Sequence, residues 1–302
     1  MPSLRDIRNR IGSVKSTRQI TKAMKMVAAA KLRRAQESVL KTRPYAQLLE
    51  QAVARVAART SEEGKAAARE LMTGELGVHP LLASRPEKIA EVVVITSDRG
   101  LAGGFNSNIA RRAQRFLTES SDRFQKLQLS TIGRKGRDYF RARKVEIRKD
   151  FTGVHADLRY EKAEEIATEY SRAFLEGEVD AVFLAYNEFK SAISQKPVVV
   201  QLFPIATLAA GETSGTVVDF KFEPSAAALA EQLLPRYVAM QVWRALLESA
   251  ASEHGARMSA MESATKNAEE MIAALTLQYN RARQAYVTKE LMEIVGGAEA
   301  LK

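Results

Sequence analysis

The sequence contains no cysteine, and its 302 residues include only three histidines and one tryptophan. Without cysteine the chain can form neither disulfides nor thiolate sites, which excludes thiol regulation and favours a reducing compartment. No apolar run approaches the roughly 20 residues that span a bilayer, and the first six residues lack the apolar core of a signal peptide. The sequence therefore predicts a soluble protein of the cytoplasmic type.

Catalytic motifs are also missing. His79, His155 and His254 are far apart in the sequence and lack the spacing of a metal site or a catalytic triad. Neither HExxH nor GxSxG occurs. An independent enzyme is therefore disfavoured.

The positive charge is concentrated at the N-terminus. Residues 1–43 contain twelve lysines and arginines but only two acids, whereas the rest of the chain has 34 basic and 34 acidic groups. This segment alone accounts for the net charge of +10. We expect an acidic partner to meet the protein here.

Both ends of the chain show helical periodicity. Residues 3–58 are predicted to form one helix with a bend near Pro44, and its apolar stripe is interrupted by one skip: Leu4, Ile7, Ile11, Val14, then Ile20, Met24, Val27. Residues 225–300 are predicted to be helical with an interruption at Pro235. Their stripe alternates spacings of four and three: His254, Met258, Met261, Thr265, Ala268, Ile272, Leu275, Tyr279, Ala282, Tyr286.

The central part alternates strands and helices. Strands are predicted over 91–96, 127–132, 179–189 and 196–204, with helices over 106–117, 135–142 and 162–177. This order predicts βαβ units with a terminal hairpin, and therefore a mostly parallel three-layer sheet. The predicted boundaries are 1–58 for the N-terminal coiled-coil helix, 59–90 for a connecting segment, 91–222 for the globular domain and 223–302 for the C-terminal coiled-coil helix.

Helix length decides how these parts combine. About 60 helical residues after Pro235 would span roughly 90 Å, whereas a compact chain of this size would be about 50 Å across. The terminal helices must then project from the globular part, and they bury their stripes most simply against each other. The predicted fold class is α/β: an antiparallel coiled coil of the N- and C-terminal helices on a Rossmann-like three-layer α/β/α domain.

A glycine-rich loop at 100–104 lies between a predicted strand and a predicted helix, as in dinucleotide sites. Its spacing is GxxGG instead of GxGxxG, and no acidic residue follows the next strand. A tight turn, with Asn106 or Ser107 capping the following helix, is favoured.

Three stretches carry a family resemblance. They are Ile7–Lys15 continuing through Ile20–Ala29, then Thr96–Asn106, and finally Tyr279–Ala285 with Thr288–Ala298. In this order they resemble the γ subunit of F-type ATP synthases. The segment 60–90 carries the weakest match.

The resemblance implies a rotary shaft without an active site, cofactor or metal of its own. Its helices would stand inside a ring of three α and three β subunits, and its base would contact the ε subunit and the membrane c-ring. It would be peripheral on the cytoplasmic side of the bacterial inner membrane, without inserting into the bilayer or binding nucleic acid. Ion flow would turn ring and shaft, and the shaft would drive each β subunit through its affinity states.

The resemblance also implies contact residues. Those expected to contact β are Met24, Lys25, Arg257, Arg283, Gln284 and Thr288. Those expected at the apolar tip, in its bearing, are Leu291, Ile294 and Val295. Those expected at the foot, near ε and the c-ring, are Phe220, Phe222 and Glu223.

Each feature also has a purely structural interpretation. Methionine stripes are more often helix-pair core, and exposed arginines are usually only solvated. Two other functions stay open: a Rossmann-like nucleotide-binding enzyme, and a basic coiled coil that binds nucleic acid or an anionic membrane. The second would lose affinity steeply with salt.

Overall fold

The structure is a computed structural model that describes residues 3–71, 79–83, 85–205, 222–223 and 225–299, with side chains described outside 60–71 and 297–299. It contains two long helices, α1 (Leu4–Leu71) and α5 (Ala226–Glu299). Between them lie a 3-10 helix at Pro80–Leu82, β1 (Ile89–Ile95), α2 (Phe105–Glu119), β2 (Lys126–Ile132), α3 (Arg134–Arg141), β3 (Asp150–Phe151), α4 (Tyr160–Leu175), β4 (Ala181–Phe189) and β5 (Gln195–Phe203).

The chain divides into two compact units. The helix-pair unit comprises Met1–Ala30 and Arg257–Lys302, and the sheet unit comprises Lys31–Ala256. Both long helices therefore contribute residues to both units. The boundaries predicted at 58, 90 and 222 stay predictions.

The sheet unit is built on five strands in the order β3-β2-β1-β4-β5. Strands β1 to β4 pair in parallel, whereas β5 pairs antiparallel with β4. The predicted mostly parallel sheet with a terminal hairpin is confirmed. Only β3 was missed, because two residues are too short for a periodic pattern.

Alternating residues of the strands face different helical layers. Val93 and Leu184 point into a cluster with α1, α4 and α5, whereas Val92 and Phe183 point into one with α2 and α3. This alternation is the two-residue period of an extended strand. The apolar runs of β1 and β4 are continuous because both faces are buried.

A charged group is buried inside this core. The Glu91 side chain is fully buried, accepts a hydrogen bond from Ser130 Oγ and lies 2.8 Å from Arg148 Nη2. Burial lowers the pKa of Arg148, but its hydrogen bond to Glu91 and the charge of Glu91 outweigh burial and raise it. A carboxylate is tolerated here because a cation and a hydroxyl replace its lost water.

The long helices differ from their predictions in two places. Helix α1 does not end near residue 58 but continues to Leu71, and Pro44 lies inside it. The interruption predicted at Pro235 is wrong, since α5 begins at Ala226 and passes through this residue. Leu234 and Val238 are fully buried beside it. Packing on that scale offsets the roughly 3 kcal/mol penalty of an internal proline.

Candidate partner-contact surface

Within the helix-pair unit, α1 and α5 run antiparallel. Three polar pairs join them: Arg8 Nη2 donates to Tyr279 Oη at 2.6 Å, Thr265 Oγ1 donates to Thr21 Oγ1 at 2.8 Å, and Lys25 Nζ donates to Glu262 Oε1 at 2.6 Å. The partner's number falls as the number on α1 rises. The predicted antiparallel arrangement is therefore confirmed inside this unit.

The seam on α1 differs from the predicted stripe. Ile20 and Val27 are 60% and 57% exposed, so the predicted skip is wrong. Eight buried or half-buried positions keep an unbroken alternation of three and four: Leu4, Ile7, Ile11, Val14, Arg18, Thr21, Lys25, Ala28. Met24 and Ala29, beside this line, are also half-buried. Reading only apolar residues missed it, because polar side chains occupy three successive seam positions.

The seam on α5 follows the prediction more closely. Met261, Ala268 and Leu275 are buried, and the intervening seam positions from Met258 to Ala282 are half-buried. Tyr286 is 55% exposed, so the predicted stripe ends earlier than expected. Arg8 contacts Tyr279, and α1 begins only one turn before Arg8, which leaves little of α1 to cover later residues of α5.

The residues predicted to contact β fall into two groups. Met24, Lys25 and Arg257 are half-buried, and the ammonium of Lys25 is engaged by Glu262. Arg283, Gln284 and Thr288 are exposed, as is every residue from 283 to 296. The structure therefore does not bring all six into one surface.

The predicted tip residues lie on this exposed end of α5. Leu291, Ile294 and Val295 are 58%, 72% and 53% exposed. Exposed large apolar side chains that follow one another along a helix indicate a surface that a partner covers.

The predicted foot residues are placed differently. Phe220 lies outside the described residues. Phe222 is half-buried and packs against the core of the sheet unit, whereas Glu223 is exposed. The foot contact predicted for Phe222 stays a prediction, and part of its ring already packs within this chain.

The glycine-rich loop forms a tight corner after β1. Leu101 and Gly103 have φ angles of 62° and 54°, in the left-handed region. The predicted cap is wrong: α2 is capped by Gly104, while Asn106 Oδ1 accepts a hydrogen bond from Ser97 N at 2.9 Å. The loop is thus tied to the end of β1 by its own side chains.

The same corner contacts the start of α3. A Cβ added to Gly133 would lie 2.0 Å from the carbonyl oxygen of Thr96, and Gly133 has a φ of 98°. Gly136 N donates to Thr96 Oγ1 at 2.8 Å. Arg134 N donates to Asp98 Oδ1 at 3.0 Å. The motif beginning at Thr96 therefore joins β1, α2 and α3 closely, which the glycine spacing alone did not reveal.

Sequence reasoning also missed a cavity between α1 and α5 in the sheet unit. Its volume is about 200 Å³, and polar side chains including Arg43, Glu50, Arg244 and Glu248 line it. Arg244 Nε donates to the buried Glu248 at 3.1 Å. Burial, followed by the charge of Glu248, raises the pKa of Tyr186 to about 12.

The described residues contain neither a group of three or more metal-ligating side chains nor a helix apolar and long enough to cross a membrane. What they offer is an exposed helical end and a basic helix. An exposed apolar helical end and a basic helix are features of a protein that contacts other proteins.

Comparisons with known proteins narrow this class. A family model described as ATP synthase matches residues 3–301. The ATP synthase gamma chain of Anaeromyxobacter sp. (strain Fw109-5) is 77% identical, and that of Pelotomaculum thermopropionicum is 50% identical; each comparison covers all of both chains. The chain belongs to the γ-subunit family of F-type ATP synthases.

Solved structures agree on the fold. A chain of the Tetrahymena thermophila mitochondrial ATP synthase central stalk and c-ring has a TM-score of 0.59 and 26% identity, covering 81% of this chain and 99% of that one. A chain of the Euglena gracilis mitochondrial ATP synthase has a TM-score of 0.65 and 20% identity, covering 99% and 94%.

Proposed function

We propose that this protein is the central rotary shaft of an F-type ATP synthase. It couples ion flow through the membrane c-ring to the conformational cycle of the catalytic β subunits, and so to ATP synthesis. The observation that carries this proposal is full-length identity of 77% to an ATP synthase gamma chain.

The proposed partners are three α and three β subunits, the ε subunit and the c-ring. Support comes from the solved relatives, one of which belongs to a central stalk and c-ring and another to an assembly of F1 and c-ring. The protein would be peripheral on the cytoplasmic side of the bacterial inner membrane.

The protein would act without an active site. A shaft that presents different faces to three β subunits gives each a different contact free energy, and each β subunit then favours a different affinity state. Turning the shaft exchanges these states. Catalysis itself would take place on the other subunits.

Such contacts must be individually weak, because each breaks at every step of rotation. Exposed ion pairs contribute about 0–1 kcal/mol each. The basic face of α1 offers several exposed cations, among them Lys22, Lys31 and Arg34. The exposure of these cations therefore suits contacts that form and break at each step.

The exposed end of α5 would supply the upper contacts. We propose that Arg283, Gln284 and Thr288 hydrogen-bond to β, and that Leu291, Ile294 and Val295 turn in the bearing. Their exposure in the isolated chain supports both roles.

Half-buried residues and the foot would make the remaining contacts. We propose Met24 and Arg257 as further contacts to β through the parts of their side chains that stay accessible. Phe220, Phe222 and Glu223 would form the foot. Lys25 pairs within the chain, with Glu262.

Native mass spectrometry of the chain mixed with α and β subunits, with ATP hydrolysis assayed on the same sample, tests the proposal. We expect one copy per three α and three β subunits, with hydrolysis only in that assembly. A chain that stays alone and binds or hydrolyses nucleotide would instead support the Rossmann-like enzyme. Salt-sensitive binding to nucleic acid or anionic vesicles without α and β would support the basic coiled coil.

The tip can be tested in the same assay. Leu291, Ile294 and Val295 are replaced together by serine. The free energy of unfolding of the isolated chain should stay within about 0.5 kcal/mol of the unaltered value, because all three side chains are exposed. The fraction of chain found in the α₃β₃ assembly should fall. Leu277→Ser, at a 54% exposed position outside the tip, is the matched control. Full assembly of the triple variant would show that the tip does not contribute to the contact with α and β.

A further inference from the structure

The ammonium of Lys25 already has a partner in its own chain. Nζ lies 2.6 Å from Glu262 Oε1, across the seam of the helix-pair unit. The side chains are 38% and 60% exposed, respectively. To meet an acidic group on β, Lys25 would have to leave this carboxylate.

The pair lies where polar residues occupy the seam beside one large buried side chain. One helical turn away, Thr21 and Thr265 meet through their hydroxyls at 2.8 Å. The buried apolar seam residues nearest the pair are Met261, Ala28 and Ala268, and the two alanines bury little apolar area. Because only Met261 buries a large apolar side chain at this level, polar pairs carry a larger share of the attachment between the helices.

We propose that Lys25 acts through Glu262: the pair holds α1 and α5 together at this level, and Lys25 is a positioning residue of the shaft instead of a direct contact to β. The coupling part of this inference rests on the proposed function. The attachment part concerns the isolated chain only. The two parts can therefore fail separately.

The absence of native cysteine allows a clean test of attachment. The Thr21 and Thr265 hydroxyls lie within hydrogen-bonding distance, so Thr21→Cys/Thr265→Cys should form an intramolecular disulfide whenever the helices are together. In this double-cysteine chain, Lys25→Glu places like charges opposite each other. We expect disulfide formation under a glutathione redox buffer to slow about fivefold, since the helices separate more often.

Charge exchange should restore the rate. Lys25→Glu/Glu262→Lys recreates the pair with its signs reversed, and we expect near-original disulfide formation. Lys22→Glu makes the same charge change at an exposed position of α1 and should leave the rate unchanged. Lys25→Gln, which removes attraction without adding repulsion, covers the case in which Lys25→Glu does not fold, as judged by circular dichroism. An unchanged rate in Lys25→Glu, or in Lys25→Gln where that variant replaces it, would overturn the proposal.

The assembled complex distinguishes the two roles of Lys25. In the complete ATP synthase assembled with this chain in vesicles, the single variant should lose coupling, measured as ions pumped per ATP hydrolysed. The charge-exchanged variant should regain it if Lys25 acts through Glu262. If that variant recovers disulfide formation but not coupling, Lys25 contacts β directly and the proposal is wrong. If the unaltered chain does not assemble, the proposed function fails, while the disulfide experiment still decides the attachment.

Discussion

The helix-pair unit and the sheet unit of this protein are stabilised in different ways. In the described part of the helix-pair unit only six side chains are buried: Ile7, Thr21, Ala28, Met261, Ala268 and Leu275. The sheet unit has two extensive apolar clusters, one on each face of its sheet. Two helices side by side bury one line of residues each, whereas a sheet covered on both faces buries whole surfaces.

This difference has consequences for dynamics. A segment with few buried apolar contacts and many exposed side chains opens locally at a lower free energy than a packed core. We therefore expect the helix-pair unit to open more readily than the sheet unit. Polar pairs across its seam then matter more than similar pairs would on the surface of the sheet unit.

The largest effect is expected in the sheet unit. Phe174 is almost fully buried and stacks on Phe203, with ring centroids 4.8 Å apart. Phe174→Ala should lower the free energy of unfolding by about 3–5 kcal/mol, because the cavity cannot collapse inside a covered sheet. Urea unfolding measures this loss. The control is Leu175→Ala, at the half-exposed neighbouring position, whose free energy of unfolding should stay within about 0.5 kcal/mol of the unaltered chain. Equal losses in both variants would contradict a rigid core.

An intermediate effect is expected in the helix-pair unit. Leu275→Ala should destabilise this unit by about 2 kcal/mol, the low end for such a change, since a seam between two helices can close over a small cavity. Hydrogen exchange should accelerate in residues 4–30 and 257–296 and stay unchanged in β1 and β4. Leu277→Ala, at an exposed position of the same helix, is the control. Uniform acceleration in both units would show that they open together.

The smallest effect is expected in the pH dependence of the stability of the sheet unit. Burial raises the pKa of Glu169, but the hydrogen bond and charge of Lys149, with a contribution from Arg172, outweigh it and lower the pKa below its usual value. A depressed folded-state pKa gives stability that is present above the unfolded value, about 4.3, and is lost as pH falls through the folded value.

Glu169→Gln should therefore flatten the loss of stability below about pH 4. Urea midpoints at pH 7 and pH 3 measure this, and the difference between them should be smaller in the variant than in the unaltered chain. Glu165→Gln, at an exposed position of α4 paired with Lys162, is the control. An identical pH dependence in all three proteins would show that Glu169 does not contribute.

Most elements of the fold were predictable because their apolar patterns are local. The strands of the sheet were placed within a few residues, since runs such as Val92–Ile95 are buried on both faces. Pro235 misled the prediction. Its local penalty was visible in the sequence, but the packing that outweighs it depends on residues from distant parts of the chain.

The contact residues also differ in how far the sequence alone could reveal them. The exposed end at 283–296 could be predicted only through the family motif, because exposure depends on where α1 begins. Glu262 was not singled out at all. On α5 it is one acidic residue among several, and only the pairing of the two helices places it opposite Lys25.

The sequence by itself determined the alternation of strands and helices, the heptad seam on α5 and the family, because these depend on periodicity and on motifs within one segment. Only the tertiary structure decided that Arg18, Thr21 and Lys25 occupy the seam on α1. It also decided that Asn106 turns back to the end of β1 and that a carboxylate is buried at Glu91. The seam and the burial of Glu91 depend on partners far away in the chain, and the turn of Asn106 depends on Ser97 across the tight corner. Free energies of burial and pairing are set by the partner as much as by the residue.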